Sequence, residues 1–168
     1  MKIVILDGYA LNPGDLSWKP VEELGEVVIY DRTEDDEIVE RVGDAEVVLV
    51  NKIGMSRETM EKLPSLKYIG VTATGFDVID LEAAKELGIR VTNVSGYSTD
   101  AVAQHVFALL LDITNRVSMH NEQVADGDWV KAKDFTFRSA PLITLKGKTM
   151  GLLGYGDIGS QVSKIAQA

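Results

Sequence analysis

The chain has 168 residues and a formal net charge of −9, from 17 Lys and Arg against 26 Asp and Glu. This acidity argues against nucleic-acid binding, because holding phosphates requires a basic surface. A hydrophobic share of 45%, with 26% charged residues and a mean hydropathy of +0.03, is typical of a globular protein rather than a disordered or membrane protein. Cysteine is absent, which excludes disulfides, thiolate zinc sites and cysteine nucleophiles, and two histidines offer little for a metal cluster.

The amino terminus is typical of an opening strand. Its apolar run, Ile3–Leu6, is too short for a signal peptide, and no later stretch approaches membrane-spanning length. We therefore expect a cytoplasmic protein that neither binds nucleic acid nor enters a membrane.

Short apolar, β-branched runs alternate with helical patterns over the first part of the chain. The runs that predict strands are Ile3–Leu6, Val27–Tyr30, Val47–Val50, Tyr68–Val71 and Arg90–Val94. The segments that predict helices are Glu34–Val42, Arg57–Leu63 and Asp80–Leu87, each with carboxylates favoured in its first turn. The four carboxylates Glu34–Glu37 are interpreted as such a first turn rather than as a metal site. The alternation predicts a doubly wound parallel sheet of the flavodoxin-like kind, an α/β fold, over residues 1–97.

The remaining residues, 98–168, follow a different pattern. Apolar residues at helical spacing predict one long helix from Thr99 to about Ala125, with the side chain of Ser98 or Thr99 as its cap. Asp126–Leu145 shows no clear period and is interpreted as an irregular, apolar arm. Lys148–Leu153 then predicts a strand, followed by a glycine turn and a helix, which is the first βα unit of a second, incomplete Rossmann domain.

The glycine turn is the sequence Gly154-Tyr155-Gly156-Asp157-Ile158-Gly159, which matches the pattern G-x-G-x-x-G between a predicted strand and a predicted helix. The first glycine allows a tight turn, the second lets a pyrophosphate approach the backbone, and the third lets helix and strand pack closely. This context favours a dinucleotide site over a tight turn without a ligand. The acidic residue expected about 20 positions later would lie beyond residue 168, so the choice between NAD and NADP stays open.

Two loops follow strands at the edge of the predicted sheet where open α/β folds bind ligands. Asn51 and Lys52 follow the third strand, and Ala73, Thr74, Gly75 and Phe76 follow the fourth. Gly75 permits backbone amides to approach an anion, and Lys52 supplies a positive charge for a small carboxylate. A solvated lysine and an ordinary turn explain these loops equally well at this stage.

Three motifs in order resemble the D-isomer-specific 2-hydroxyacid dehydrogenases. They are Val71–Asp80, Val91–His105 and the glycine turn, and the resemblance covers the whole chain. Within this family, the sequences of the Asn12–Trp18 loop and of the pair Gln104-His105 are similar to those of the glycerate dehydrogenases, also called hydroxypyruvate reductases. The resemblance implies a substrate domain at 1–97 and the start of an NAD-binding Rossmann domain within 98–168.

The resemblance also implies roles for individual residues and an interconversion of hydroxypyruvate and D-glycerate in the complete enzyme. It implies that Ala73, Thr74, Gly75 and Phe76 contact the small 2-hydroxy or 2-keto acid, with Asn51 and Lys52 beside it. It implies that Thr99 and the six residues of the glycine turn contact the cofactor. The Arg, Glu and proton-transferring His of such enzymes lie later than residue 168, so no catalytic residue is predicted here and this chain alone is expected to be inactive.

The two histidines and the apolar arm have other interpretations. A packing or surface role is favoured for both His105 and His120. The resemblance implies that the long helix and the arm, residues 98–145, form the interface of a homodimer. The alternative to a dehydrogenase portion is a non-catalytic, flavodoxin-like dimerisation module. A phosphoacceptor receiver domain is excluded because Asn51 stands where that fold needs an acceptor Asp.

Overall fold

Five parallel strands form the sheet of the first half of the chain in the computed structural model, which describes residues 1–168. The strands are β1 (Lys2–Ile5), β2 (Glu26–Ile29), β3 (Val47–Val50), β4 (Tyr68–Val71) and β5 (Arg90–Thr92). Their order is β2-β1-β3-β4-β5, which is the flavodoxin-like order. All five predicted strands are confirmed, with ends within two residues of the prediction.

Short helices connect these strands. They are α1 (Gly8–Leu11), α2 (Lys19–Glu22), α3 (Ile38–Val42, preceded by a 3-10 turn at Asp35–Glu37), α4 (Arg57–Glu61) and α5 (Leu81–Glu86). Side chains fix two of the helix starts: Ser56 Oγ accepts from the Thr59 amide at 3.2 Å, and Asp80 Oδ1 accepts from the Ala83 amide at 2.9 Å. The three predicted helices are confirmed.

The hydrophobic core lies between the sheet and its helices. Alternate strand residues face it, and they meet apolar residues from α3, α4 and α5. The fully buried members include Val4, Leu6, Val48, Val50, Ile69, Val42 and Ala83. Because each fully buried aliphatic side chain contributes about 1.5–3 kcal/mol, this core stabilises the edge of the sheet from which the candidate substrate loops extend.

The chain divides into two units, Met1–Ser95 and Gly96–Ala168. The second unit consists of helices and irregular segments. Its helices are α6 (Thr99–Asn115), α7 (Val117–Ala125), α8 (Asp128–Lys131) and α9 (Asp157–Gln167). None of the helices in either unit has the length and apolarity needed to cross a membrane.

The prediction of one unbroken helix from Thr99 to Ala125 is wrong. Arg116 has a left-handed backbone, φ 55°, and separates α6 from α7. The break is stabilised locally, because Asp112 Oδ1 accepts hydrogen bonds of 2.8 Å from both the amide and the hydroxyl of Ser118 at the start of α7. A continuous apolar stripe could not reveal this break, since the stripe continues across it.

The predicted side-chain cap of α6 is also wrong. Ser98 occupies the cap position but has a helical backbone, φ −97° and ψ −2°, and neither it nor Thr99 makes a side-chain capping bond. A capping residue normally needs an extended backbone to turn its oxygen towards the first amides of the helix.

The predicted strand Lys148–Leu153 is not formed. This segment has no regular secondary structure, and the side chain of Leu153 is fully exposed. A strand exists only through hydrogen bonds to a neighbouring strand, and the second unit contains none. The helix that follows does form: α9 packs against α6, with Val162 and Ala103 buried.

The apolar arm is largely irregular, as predicted, although it contains the short helix α8. The rings of Trp129 and Phe137 meet edge to face with their centroids 5.8 Å apart. Phe135 remains 92% exposed.

Candidate functional site

Two of the predicted site loops lie at the carboxyl edge of the sheet in the first unit. The chain leaves β1 towards β2 on one side, and β3 lies on the other side, so the strand order reverses between β1 and β3. Open α/β sheets bind ligands in the crevice formed at such a reversal. Asn51 and Lys52 directly follow β3, and Ala73–Phe76 follow the neighbouring strand β4.

The first loop presents a free cation. Lys52 is exposed and takes part in no ion pair, and the side chain of Asn51 makes no hydrogen bond within the chain. The backbone of this loop is nevertheless fixed, because its amides donate to the carboxylate of Asp7: Asn51 at 2.9 Å to each oxygen and Lys52 at 2.7 Å to Oδ2. The Lys52 ammonium is thus carried on a rigid support while its charge remains available to an anion.

The second loop presents backbone amides. Ala73 is buried, whereas Thr74, Gly75 and Phe76 are exposed, and the amides of these three donate to no acceptor in the chain. Consecutive free amides are an anion-binding arrangement. A Cβ added at Gly75 would lie 3.2 Å from Asp77 Oδ1, so glycine keeps this turn uncrowded.

Hydrogen bonds to the chain after β5 hold the second loop. Thr74 Oγ1 donates to the Val94 carbonyl at 3.0 Å, and Asn93 Nδ2 donates to the Thr74 carbonyl at 2.8 Å. The Val94 amide also donates to the Ala73 carbonyl at 3.1 Å. These contacts fix the loop, and none of them uses the amides of Thr74, Gly75 or Phe76.

The glycine turn of the second unit has a distinct reason for each glycine. Gly154 has φ +93°, a left-handed conformation that glycine favours, and a Cβ at Gly159 would lie 2.5 Å from the Gly154 carbonyl oxygen. A Cβ at Gly156 would meet no atom of the chain within 4 Å, and its φ of −83° suits any residue. The folded chain therefore requires glycine at 154 and 159, whereas the open space at Gly156 fits a ligand lying against the backbone.

The start of α9 adds to this fit. Gly156 is its cap position and has no side chain to occupy the first amides of the helix, so those of Asp157, Ile158 and Gly159 are free to donate to a phosphate. Tyr155 and Ile158 are exposed beside the turn, and Asp157 places one carboxylate in the first turn of the helix. The residues of the turn fit a diphosphate in shape and in donors, and Asp157 is the only charge there that opposes it.

Thr99 and the two histidines have few polar contacts. Thr99 is half-buried, and its amide donates to the Gly96 carbonyl at 3.4 Å. His105 is exposed on α6, while His120 Nδ1 lies 2.8 Å from the Arg116 carbonyl and its ring meets Phe137 edge to face. No three histidine or acidic side chains lie close enough together to hold a metal ion.

Sequence reasoning missed Asp7. This side chain is only 7% exposed, and its carboxylate organises the Asn51-Lys52 loop from a position 44 residues earlier in the chain. The available signal was an acidic residue directly after an apolar opening strand, at the carboxyl edge of a predicted parallel sheet.

Comparison with known proteins gives consistent results. Residues 3–160 match the family model described as D-isomer specific 2-hydroxyacid dehydrogenase, catalytic domain. A hydroxypyruvate reductase of Blautia hydrogenotrophica is 51% identical over 171 residues, covering 100% of this chain and 53% of that protein. A glycerate dehydrogenase of Methylorubrum extorquens is 37% identical, covering 99% of this chain and 52% of that protein.

A solved structure shares the fold over almost the whole chain. An acyclic imino acid reductase in complex with NADPH and D-Arg superposes with a TM-score of 0.79 at 30% identity, covering 99% of this chain and 53% of that one. The chain thus spans about half the length of the relatives it matches. Because the family model accounts for residues 3–160 and the relatives align over essentially every residue, the chain belongs to the D-isomer specific 2-hydroxyacid dehydrogenase family.

Proposed function

We propose that this chain carries the substrate loops and the diphosphate-binding turn of an NAD-dependent oxidoreductase that interconverts hydroxypyruvate and D-glycerate. The observation that carries the proposal is the open space at Gly156, in a turn whose other two glycines the fold itself requires. The name of the Blautia relative, hydroxypyruvate reductase, at 51% identity supports this choice of substrate.

The cofactor would lie with its diphosphate against Gly154–Gly159, where the first amides of α9 donate to the phosphate oxygens. Gly156 would allow the closest approach, and Thr99 is proposed as a further contact. The nicotinamide of the bound cofactor supplies the hydride that reduces the keto group.

The substrate carboxylate would be held by both loops of the first unit. The free amides of Thr74, Gly75 and Phe76 donate to its oxygens, and the Lys52 ammonium balances its charge. Ala73 is buried, and its carbonyl accepts from the Val94 amide, which fixes the start of this loop. The unpaired side-chain amide of Asn51 is suited to the hydroxyl or keto oxygen.

Reduction of the keto group also requires a proton at the substrate oxygen. We propose neither histidine of the chain for this step: His120 contacts the Arg116 carbonyl and Phe137, and a surface role is favoured for His105, which is exposed on α6. We therefore expect the 168-residue chain to bind its ligands without turning them over.

Isothermal titration of NADH into the 168-residue chain tests the cofactor part of the proposal. We expect binding that Gly156→Ala weakens by about tenfold or more, because a methyl group would occupy the space reserved for the diphosphate. Gly151→Ala is the matched control, since a Cβ there also meets no atom within 4 Å but lies outside the turn. Equal NADH affinity in both variants would contradict the proposed site.

Absence of NADH binding by the unsubstituted chain would favour a second function, a non-catalytic dimerisation module. The observation behind it is the apolar surface of α6, α7 and the arm, which we call the α6–arm surface. Its exposed residues are Leu109, Ile113, Val117, Val124, Trp129, Val130 and Phe135. A surface this apolar is more typical of an interface between copies of the chain than of solvent contact.

Light scattering tests this surface. We propose a homodimer at tens of micromolar chain, and we expect the double substitution Val130→Asp and Phe135→Asp to shift it towards monomer by placing charges in the interface. Leu16→Asp is the control, because Leu16 is also exposed but belongs to the first unit. A monomer for the unsubstituted chain would rule out dimerisation through the α6–arm surface.

A further inference from the structure

Asp7 is a buried carboxylate that the proposed function does not use. It is 7% exposed, lies two residues after the end of β1, and has no cationic partner. Three amide contacts surround it: Asn51 donates to both of its oxygens at 2.9 Å, and Lys52 donates to Oδ2 at 2.7 Å. A buried charge is tolerated when such donors surround it, so the amides of this loop compensate the carboxylate.

The contacts of Asp7 take the place of the last hydrogen bond between the parallel strands β1 and β3. The Leu6 amide donates to the Leu49 carbonyl at 3.2 Å, and in a continuing ladder the Asn51 amide would next donate to the Leu6 carbonyl. That carbonyl instead accepts from Thr33 Oγ1 at 2.6 Å, while the Asn51 amide turns to the carboxylate of Asp7. The side chain of Asp7 therefore ends the pairing of β1 with β3 at the point where the strand order reverses.

The consequence is a defined position for Lys52. Its amide is bound to Asp7, so the start of its side chain is fixed, yet its ammonium takes part in no ion pair and is exposed. The charge of Asp7 is compensated by backbone donors and does not need the ammonium of Lys52. The two charged side chains therefore have different roles. Asp7 binds the loop amides and orients the loop, whereas the Lys52 side chain is exposed and free to bind an anion.

We infer that Asp7 is a positioning residue, which holds the Asn51-Lys52 loop so that Lys52 binds the carboxylate of a small 2-hydroxy acid. The inference rests on the proposed function for the identity of the ligand. The orientation of the loop by Asp7 does not depend on it. An Asn at this position keeps the shape but offers one acceptor oxygen and turns an amino group towards the loop amides.

The loop contacts are measured first in the unsubstituted 168-residue chain by NMR. We expect scalar couplings across the hydrogen bonds from the Asn51 and Lys52 amide nitrogens to the carboxyl carbon of Asp7, together with slow hydrogen exchange of both amides. This measurement needs no variant and is unaffected if Asp7→Asn folds poorly. Absence of both couplings would overturn the inference.

Binding is measured next, with D-glycerate as the probe and the amide shifts of Gly75 and Phe76 as the readout. We expect Asp7→Asn and Lys52→Met each to weaken D-glycerate binding by about tenfold, the loss of one charge-assisted contact. Because Asp7 acts through Lys52, Asp7→Asn should cause little further loss in the Lys52→Met background. Asp31→Asn is the control, since Asp31 is an exposed carboxylate of the same unit whose side chain makes no hydrogen bond.

Each outcome decides one point. An equal loss from Asp7→Asn in both backgrounds would overturn the positioning role and leave Asp7 with a general effect on stability. Lack of D-glycerate binding by the unsubstituted chain, with both couplings present, would overturn the proposed substrate and with it the link to Lys52. The loop contact itself would then stand confirmed.

Discussion

Val47–Val50 and Lys148–Leu153 are both short apolar segments that the sequence predicts as strands, but only the first is one. β3 lies between β1 and β4, pairs with both, and buries Val48 and Val50 completely. The second segment has no neighbouring strand and leaves Leu153 fully exposed. The comparison shows that an apolar segment has only a tendency to form a strand, and that hydrogen bonds to adjacent strands are needed to form one.

The largest difference is expected between a substitution in the paired strand β4 and one in the unpaired segment Lys148–Leu153. Ile69→Ala in β4 should lower the free energy of unfolding by about 2–5 kcal/mol, because it leaves a cavity in a fully buried position. Leu153→Ala should change it by no more than about 0.5 kcal/mol, since its side chain packs against nothing. Urea unfolding followed by circular dichroism measures both, and a comparable loss for Leu153→Ala would show that the second segment is packed after all.

A smaller effect is expected in the glycine turn, which forms with α9 although the segment before it is not a strand. Gly159→Ala should destabilise the start of α9 by about 1–3 kcal/mol, because its Cβ would lie 2.5 Å from the Gly154 carbonyl oxygen. Gly156→Ala, with open space around it, should cost at most about 1 kcal/mol, the difference between glycine and alanine at a helix cap. Hydrogen exchange of the α9 amides gives both values, and equal costs would contradict the separate roles of the two glycines.

The smallest effect concerns the break between α6 and α7. Hydrogen bonds from the amide and hydroxyl of Ser118 hold the pKa of Asp112 below its usual value of 3.8. A lowered carboxyl pKa in the folded state means that these contacts stabilise the break above about pH 4 and are lost as the pH falls through the folded pKa. The Ser118 amide shift, followed by NMR from about pH 6 down to about pH 2, should therefore titrate with a midpoint below 3.8.

Two variants control this titration. Asp112→Asn should remove it, while Asp134→Asn, an exposed carboxylate of the arm, should leave it unchanged. A midpoint at or above 3.8 would show that Ser118 does not hold the ionised form of Asp112.

The candidate site was partly predictable because its loops follow strands. Once β3 and β4 were identified, Asn51, Lys52 and the residues around Gly75 had to lie at the carboxyl edge of a parallel sheet. Asp7 was not predictable in the same way, because its role depends on amides that lie 44 residues later and that the order of the sheet brings beside it.

The five strands, the helices α3, α4 and α5, the glycine turn and the family could be predicted from the sequence, because each is encoded in local periodicity or in a short motif. The helices α1 and α2, each only four residues long, were not predicted. The folded chain was needed to establish which strand pattern became a strand, where the long helix breaks and which carboxylate holds the Asn51-Lys52 loop. All three have the same cause. Each depends on a hydrogen-bonding partner whose presence and position are fixed by the folded chain, and an unpaired or differently paired polar group leaves no trace in the local pattern of apolar residues.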